Sequence, residues 1–347
     1  MRYKIFGRHT GLRVSEFALG TGMFGTRWGY GSEREESRRI FDAYAEAGGN
    51  FIDTADAYQL GQSEELVGEL VGAERNNFVI ATKYTGGAAP NGGVSVTGNS
   101  RKNMIQSVEA SLKRLGTDRI DLYWVHFPDE VTPIDEIVRG LDDLTRAGKI
   151  IYAGFSDFPA WRIARAITLA ELRSWAPIVG LQTEYSLVER TPERELLPMA
   201  AAFGLGTVAW SPLGGGLLTG KYREGQKGRA TEMKRVVHYE DSKQKTAVLD
   251  ELLAAAKEAN VTPGQIAIAW VRAKGLITIL GPRTRAQLDD NLAALAVNLT
   301  EDHLRRLDEV SAVSLGFPHE FLATLEMRQW LAGKKLELID FPMVPVG

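Results

Sequence analysis

Phe51-Ile52-Asp53, Phe78-Val79-Ile80-Ala81-Thr82-Lys83 and Leu122-Tyr123-Trp124-Val125-His126 are three apolar runs, each ending on one ionisable side chain, with helical patterns between them. Short runs of this kind read as strands, and strands alternating with helices pair in parallel. Parallel neighbours bring their carboxyl ends to one rim, where α/β folds carry their chemistry. Asp53, Lys83 and His126 are therefore expected side by side, with Tyr58 close enough in sequence to overhang them. Acid, amine, imidazole and phenol on one rim point to proton transfer. Taken singly, each has a plainer reading: Asp53 and Lys83 as a structural ion pair, Tyr58 as a loop aromatic, His126 as a hydrogen-bonded core histidine.

The same alternation runs outward from these strands. A hairpin (Tyr3–Phe6 and Arg13–Val14 about Thr10-Gly11) precedes a strand at Phe17-Ala18-Leu19. Ser32 to Ala47 reads as a helix, opened by a Ser32-Glu33-Arg34-Glu35 capping-box pattern and closed by Gly48-Gly49. Strand 51–55, helix Ser63–Val71, strand 78–83 and helix Arg101–Leu115 follow, then strand 120–126 with helix 133–147 and strand 150–155 with helix Pro159–Arg173. Strand 178–182 leads to Pro192–Phe203, strand 206–210 to Thr246–Ala259 and Gln265–Ala273, and strand Leu276–Leu280 to Arg285–Leu295. Eight βα units with mostly short connections predict an α/β fold, a closed (β/α)8 TIM barrel forming a single domain over residues 1–347. Two long loops after strand carboxyl ends, 84–100 and 211–245, are expected to build the site, and the tail 313–347 to pack on the barrel or its mouth.

Bulk composition removes several function classes. The 347 residues carry 44% hydrophobic and 24% charged side chains and a net charge of −3. This balance gives no electrostatic case for nucleic acid or an anionic membrane. With no cysteine and five scattered histidines (His9, His126, His238, His303, His319), no metal site is expected. No apolar stretch reaches the length of a signal peptide or a membrane span, and the expected location is cytoplasmic.

Two glycine-rich strings test that reading. Gly20-Thr21-Gly22-Met23-Phe24-Gly25 matches G-x-G-x-x-G, but the residues after it, Thr26 to Gly31, do not open a helix, so it reads as a loop lining the barrel mouth. Gly215-Gly216-Leu217-Leu218-Thr219-Gly220-Lys221 matches most of a P-loop, yet Tyr222 stands where a magnesium-binding Ser or Thr belongs. Its backbone amides and lysine suit a phosphate all the same, and a flexible solvent loop is the other reading.

An ordered set of segments resembles the aldo-keto reductase superfamily. The set is Asn50-Phe51-Ile52-Asp53-Thr54-Ala55 with Tyr58, Thr82-Lys83, Asp121 through His126, Gly154-Phe155-Ser156, Gln182 through Ser186, Trp210-Ser211-Pro212-Leu213, and Gly281-Pro282-Arg283-Thr284 leading to Asn291. The Trp210 and Tyr185-Ser186 segments are most similar to the microbial and potassium-channel β-subunit branches. The resemblance implies reduction of a small-molecule carbonyl by NADPH (the couple NADPH/NADP+) on a tetrad of Asp53, Tyr58, Lys83 and His126. Tyr58 would be the proton donor, Lys83 would lower its pKa, Asp53 would balance the buried ammonium, and neutral His126 would orient the carbonyl.

For the cofactor the resemblance implies that Gly20, Thr21 and Gly22 line its path, that Ser156, Asp157 and Gln182 meet the carboxamide, and that Trp210 stacks on the nicotinamide ring. Ser211, Pro212, Leu213, Gly215 and Lys221 would handle the pyrophosphate, with Arg229 either closing over it or solvated. Gly281, Arg283, Gln287, Asp290 and Asn291 would hold the adenosine end, Arg283 favouring NADPH through its fit to a phosphate dianion. Many relatives have Asn where this chain has Asp157, whose carboxylate accepts from the carboxamide NH2 but cannot donate to its oxygen. Met23, Phe24, Trp28, Tyr30 and Tyr84 would make a partly hydrophobic substrate pocket. An NADP(H)-binding redox sensor with slow turnover is the alternative, and a phosphosugar isomerase a third, against which the Trp210 segment argues.

Overall fold

The computed structural model describes residues 1–89, 92–226, 228 and 238–341. Strands β1 (Tyr3–Ile5) and β2 (Arg13–Ser15) form an antiparallel hairpin. Strands β3 (Phe17–Gly20), β4 (Phe51–Asp53), β5 (Val79–Tyr84), β6 (Ile120–Val125), β7 (Ile150–Ser156), β8 (Ile178–Glu184), β9 (Gly206–Trp210) and β10 (Ile277–Leu280) pair in parallel in chain order, and β10 closes on β3. This is the eight-stranded barrel expected from the alternation. The hairpin delivers Phe6, fully buried, into its amino-terminal end, edge-on to Phe51 at 5.9 Å and Trp124 at 6.3 Å.

Strand parity then positions the site. Phe51, Ala81, Trp124 and Val208 belong to the interior cluster around Phe6, and a Cβ on Gly154 or Gly180 would stand 2.4 or 2.8 Å from the Trp124 ring. Side chains two residues on lie on the same face. Those residues are Asp53, Lys83, His126, Ser156, Gln182 and Trp210, one step above a plugged interior. The opposite parity, including Tyr84, Tyr123 and Val125, packs outward against the helices.

Local signals failed at identifiable places. The first helix spans Arg34–Glu46 with Glu33 at its start and no side-chain cap, because the Ser32 hydroxyl donates instead to the Arg283 carbonyl at 2.6 Å. The segment read as Pro192–Phe203 is a single turn, Thr191–Glu193, followed by helix Leu196–Ala202. The helix after the long charged loop is longer than expected, Lys243–Ala259, capped by Ser242. In the tail, Arg194 Nε and Nη2 donate to the Ser314 carbonyl and His319 Nε2 meets Glu195 Oε1 at 2.9 Å, while no described residue from 313 to 341 is fully buried.

Beneath the rim lies a closed polar cluster. Glu64, fully buried, accepts from Thr82 Oγ1 at 2.6 Å and from Arg114 Nε at 2.6 Å. Beside it the Asp56 carboxylate is buried with no well-formed hydrogen bond among the described residues, only the Ala57 and Gly87 amides bearing on it. Burial first, and then Glu64, pushes the Asp56 carboxyl up to about 7 against the pull of Arg114.

Two predictions follow from the packing and the buried acid. Gly154→Ala drives a methyl group into Trp124 and is expected to lower stability by about 1–3 kcal/mol in urea unfolding; an unchanged midpoint would mean the indole yields. Because the folded value of Asp56 lies above the unfolded value of roughly 3.9, its contribution to stability is full below pH 4 and is lost as pH rises to about 7. Asp56→Asn is therefore expected to gain on the wild type by about 2–3 kcal/mol between pH 5 and pH 7 in parallel denaturation curves, and a pH-independent difference would refute the assignment.

Candidate active site

The rim of the barrel assembles the four groups picked out from the strand ends. Lys83 Nζ, with no exposure, is ion-paired to Asp53 Oδ2 and donates to the Thr54 carbonyl at 2.8 Å and to Tyr58 Oη at 3.2 Å. Asp53 Oδ1 accepts from Gln182 Nε2 at 2.8 Å. The His126 and Tyr58 rings lie edge to face with centroids 5.9 Å apart. The chain reaches Tyr58 through a tight turn whose next two residues, Gln59 and Leu60, have φ of 49° and 56°.

Electrostatics sorts the protonation states. Burial works to lower the Lys83 pKa, but Asp53 and Tyr58 carry it above its ordinary value, so it is a cation. Burial, helped by Lys83, holds His126 well below its ordinary value, so the imidazole is neutral, and its Nδ1 has no hydrogen-bond partner among the described residues. For Tyr58 the expectation needs correction. Lys83 does draw the phenol down, but burial outweighs it and the net shift is upward, which keeps the hydroxyl protonated.

A groove opens beside the rim. It is lined by Ser211, Pro212, Leu213, Gly215 and Lys221 from the loop after β9 and by Gly281, Arg283, Gln287, Asp290 and Asn291 after β10. Arg283 has its guanidinium 4.5 Å from the Tyr30 ring centroid and its Nε buried without a partner among the described residues.

Other nominated groups are occupied differently from expectation. The Gly215 amide donates to Ser211 Oγ at 3.0 Å and the Gly216 amide to the Leu213 carbonyl at 2.9 Å, so this turn is closed on itself rather than presenting bare amides. Gln287 Oε1 accepts from the Arg283 amide at 2.8 Å, and Asp290 accepts from Gln265 Nε2 at 2.6 Å, tying the wall of the groove to the neighbouring helix. Gly20 packs where a Cβ would meet Ile279 at 2.5 Å, and the Thr21 hydroxyl is held by Ser63 Oγ at 2.8 Å, whereas Gly22 lies against Tyr58. Ser156 Oγ donates to Asp157 Oδ2 at 3.0 Å, and Asp157 Oδ1 accepts from Trp210 Nε1 at 3.1 Å, so that carboxylate already serves two neighbours. Arg229 lies outside the described residues.

The substrate side differs more. Tyr84 is fully buried and stacks on Tyr123 at 5.4 Å, away from the rim, and Met23 and Tyr30 line the groove instead. Of the aromatics proposed for the pocket, Trp28 meets Tyr58 edge-on at 6.2 Å. Phe127, not singled out from sequence, stacks on His126 at 4.0 Å and is 45% exposed. Gln59 and Gln62 were also missed. Gln59 Nε2 donates to the Tyr30 carbonyl at 2.9 Å and its Oε1 accepts from the Trp28 amide at 2.9 Å, while Gln62 Oε1 accepts from the Thr26 amide at 2.9 Å. These two amides hold the 22–31 loop through contacts that span some thirty residues, for which local spacing carries no signal.

Comparison with known proteins agrees with this geometry. The model of the aldo/keto reductase family matches residues 16–312. An uncharacterized oxidoreductase, YrpG, of Bacillus subtilis is 38% identical over 321 residues, covering 89% of this chain and 96% of its own length. The norsolorinic acid reductase of Aspergillus flavus is 34% identical over 92% of this chain and 84% of its own, and the putative aryl-alcohol dehydrogenase AAD14 of Saccharomyces cerevisiae 33% identical over 92% and 89%. With a closed parallel barrel, a family match over residues 16–312 and relatives that are oxidoreductases, the chain belongs to the aldo/keto reductase family.

Proposed function

We propose that this oxidoreductase reduces aldehyde or ketone carbonyls to alcohols with NADPH, and that aromatic carbonyls are its substrates. The observation that carries the reading is Lys83 Nζ joining the Asp53 carboxylate to the Tyr58 hydroxyl beside neutral His126, on a rim next to a groove lined by Arg283 and Lys221.

The residues present fit the cofactor. Arg283 keeps a buried, unpartnered Nε, which suits the phosphate dianion that distinguishes NADPH from NADH, and Asn291 and Lys221 line the same groove. Trp210 offers an indole face at the rim, with Ser156 and Gln182 as polar groups beside it. When bound, the dihydronicotinamide supplies a hydride to the carbonyl carbon. His126 donates a hydrogen bond to the carbonyl oxygen and fixes its direction. Tyr58 Oη–H transfers its proton to that oxygen as negative charge develops on it, and Lys83 stabilises the phenolate left behind. Asp53 and Gln182 keep the ammonium in place so that its proton stays at Nζ. Trp28 and Phe127 flank the two groups that meet the oxygen, which favours a flat aromatic substrate. The names of the relatives, an aryl-alcohol dehydrogenase and a norsolorinic acid reductase, point the same way.

The test is NADPH oxidation measured on a panel of aromatic and aliphatic aldehydes. Steady turnover is expected, fastest with the aromatic set; a single burst without turnover would favour the redox-sensing alternative. Tyr58→Phe is expected to cut kcat by roughly 10²–10⁴ while leaving the NADPH Kd unchanged by fluorescence titration, and full activity would remove the proposed donor. Arg283→Ala is expected to weaken NADPH by roughly tenfold or more with little effect on NADH, and equal weakening of both would contradict its assignment to the extra phosphate.

A further inference from the structure

Asp157 is a buried carboxylate beside the rim that takes no part in the proton transfer. It follows Ser156 at the end of β7 with φ of 55°, and its amide donates to the Gln182 carbonyl at 3.0 Å. Its two oxygens accept from Ser156 Oγ and Trp210 Nε1. From β8 it faces Glu184, which is bonded to His238 Nε2 at 2.9 Å, and across the rim it feels Lys83 and Tyr58. Burial pushes its carboxyl up to about 6, with the bonds from Trp210 and Ser156 opposing, so it is largely ionised at neutral pH.

The charge balance at the rim follows from these neighbours. Lys83 and Asp53 cancel, His126 and Tyr58 are neutral, and Asp157 forms no ion pair among the described residues. The Asp157 carboxylate therefore remains uncompensated against the indole proposed to receive the nicotinamide. That ring is neutral in the reduced cofactor and carries a positive charge in the oxidised one. A fixed carboxylate nearby lowers the energy of the cation and leaves the neutral form nearly untouched.

We propose that Asp157 is a positioning and redox-tuning residue: through its hydrogen bond to Trp210 it fixes the indole plane, and through its charge it makes the site prefer the oxidised nicotinamide. The idea rests on the NADPH-dependent reading above and adds a direction to it. Selective stabilisation of the oxidised ring makes the bound reduced cofactor a stronger hydride donor, which drives carbonyl reduction over alcohol oxidation.

Asp157→Asn separates charge from shape. The amide keeps an acceptor for Trp210, and Asn is among the residues that tolerate positive φ, so the fold and the indole are expected to stay, checked by near-ultraviolet circular dichroism. Dissociation constants of NADP+ and NADPH are measured by fluorescence titration for both proteins from pH 5 to pH 8. At pH 7.5 the variant is expected to raise Kd(NADP+)/Kd(NADPH) on the order of tenfold, equivalent to about 30 mV for a two-electron couple, with NADPH itself bound as tightly or more tightly. The gap is expected to close toward pH 5 as Asp157 takes up its proton, and ionisation of the cofactor phosphates cancels in the ratio. A ratio that the substitution leaves unchanged at pH 7.5, or a gap that does not depend on pH, would overturn the proposal while leaving the reductase reading intact. A wild-type protein that binds neither dinucleotide would overturn both.

Discussion

The interaction on which the rim depends is the ion pair between Lys83 and Asp53, both almost without solvent contact. Moving two charges out of water costs several kcal/mol each, and such a pair does not stabilise a fold by itself; removing one partner leaves a bare charge at a cost of about 3–5 kcal/mol. The barrel tolerates the pair because further hydrogen bonds surround it: the Thr54 carbonyl and Tyr58 hydroxyl take Lys83 Nζ, and Gln182 takes the second Asp53 oxygen. The geometry of the phenol is thus a by-product of satisfying a buried ammonium. A group that must stay charged and a group that must stay neutral, His126, are held in those states by the same burial, acting on one with a counter-ion and on the other without.

The strand ends were legible because a barrel interior repeats every two residues. Phe51, Ala81 and Trp124 are apolar and the next residue of the same parity is ionisable, so the sequence itself marks where the packed interior stops and the mouth begins. The same rule, carried one residue further along β5, assigns Tyr84 to the outer face with Tyr123, away from the rim. Ser32 shows a different failure. Its capping-box pattern is a local preference, and a carbonyl at Arg283 presented by the last strand loop outcompetes it. The balance at Tyr58 was beyond sequence for a third reason: charge partners can be named from strand order, but the extent of burial that opposes them depends on the whole rim.

The 22–31 loop shows how the two halves of the site are coupled. Gln59 and Gln62, which follow directly on the phenol, bind its backbone on one side, and Ser32 with Tyr30 ties its far end to Arg283 on the other. Tyr58 and the proposed phosphate-binding arginine are therefore joined through one short segment of chain. A ligand that pulled Arg283 off the Tyr30 ring would act on the same loop that presents Trp28 to the phenol. Such coupling needs no separate domain, because the loop is anchored at both ends by hydrogen bonds to groups the ligands themselves would touch.

The groove and the rim also differ in the charges they carry. Lys221 and Arg283 line the groove, where Asp290 is tied to Gln265, whereas the rim carries the carboxylate of Asp157. Phosphates and the oxidised ring have opposite charge, so one orientation satisfies both ends and the reverse orientation offends both. In the reading proposed above, this difference in charge favours a dinucleotide with its phosphates in the groove and its reactive ring at the rim beside the phenol.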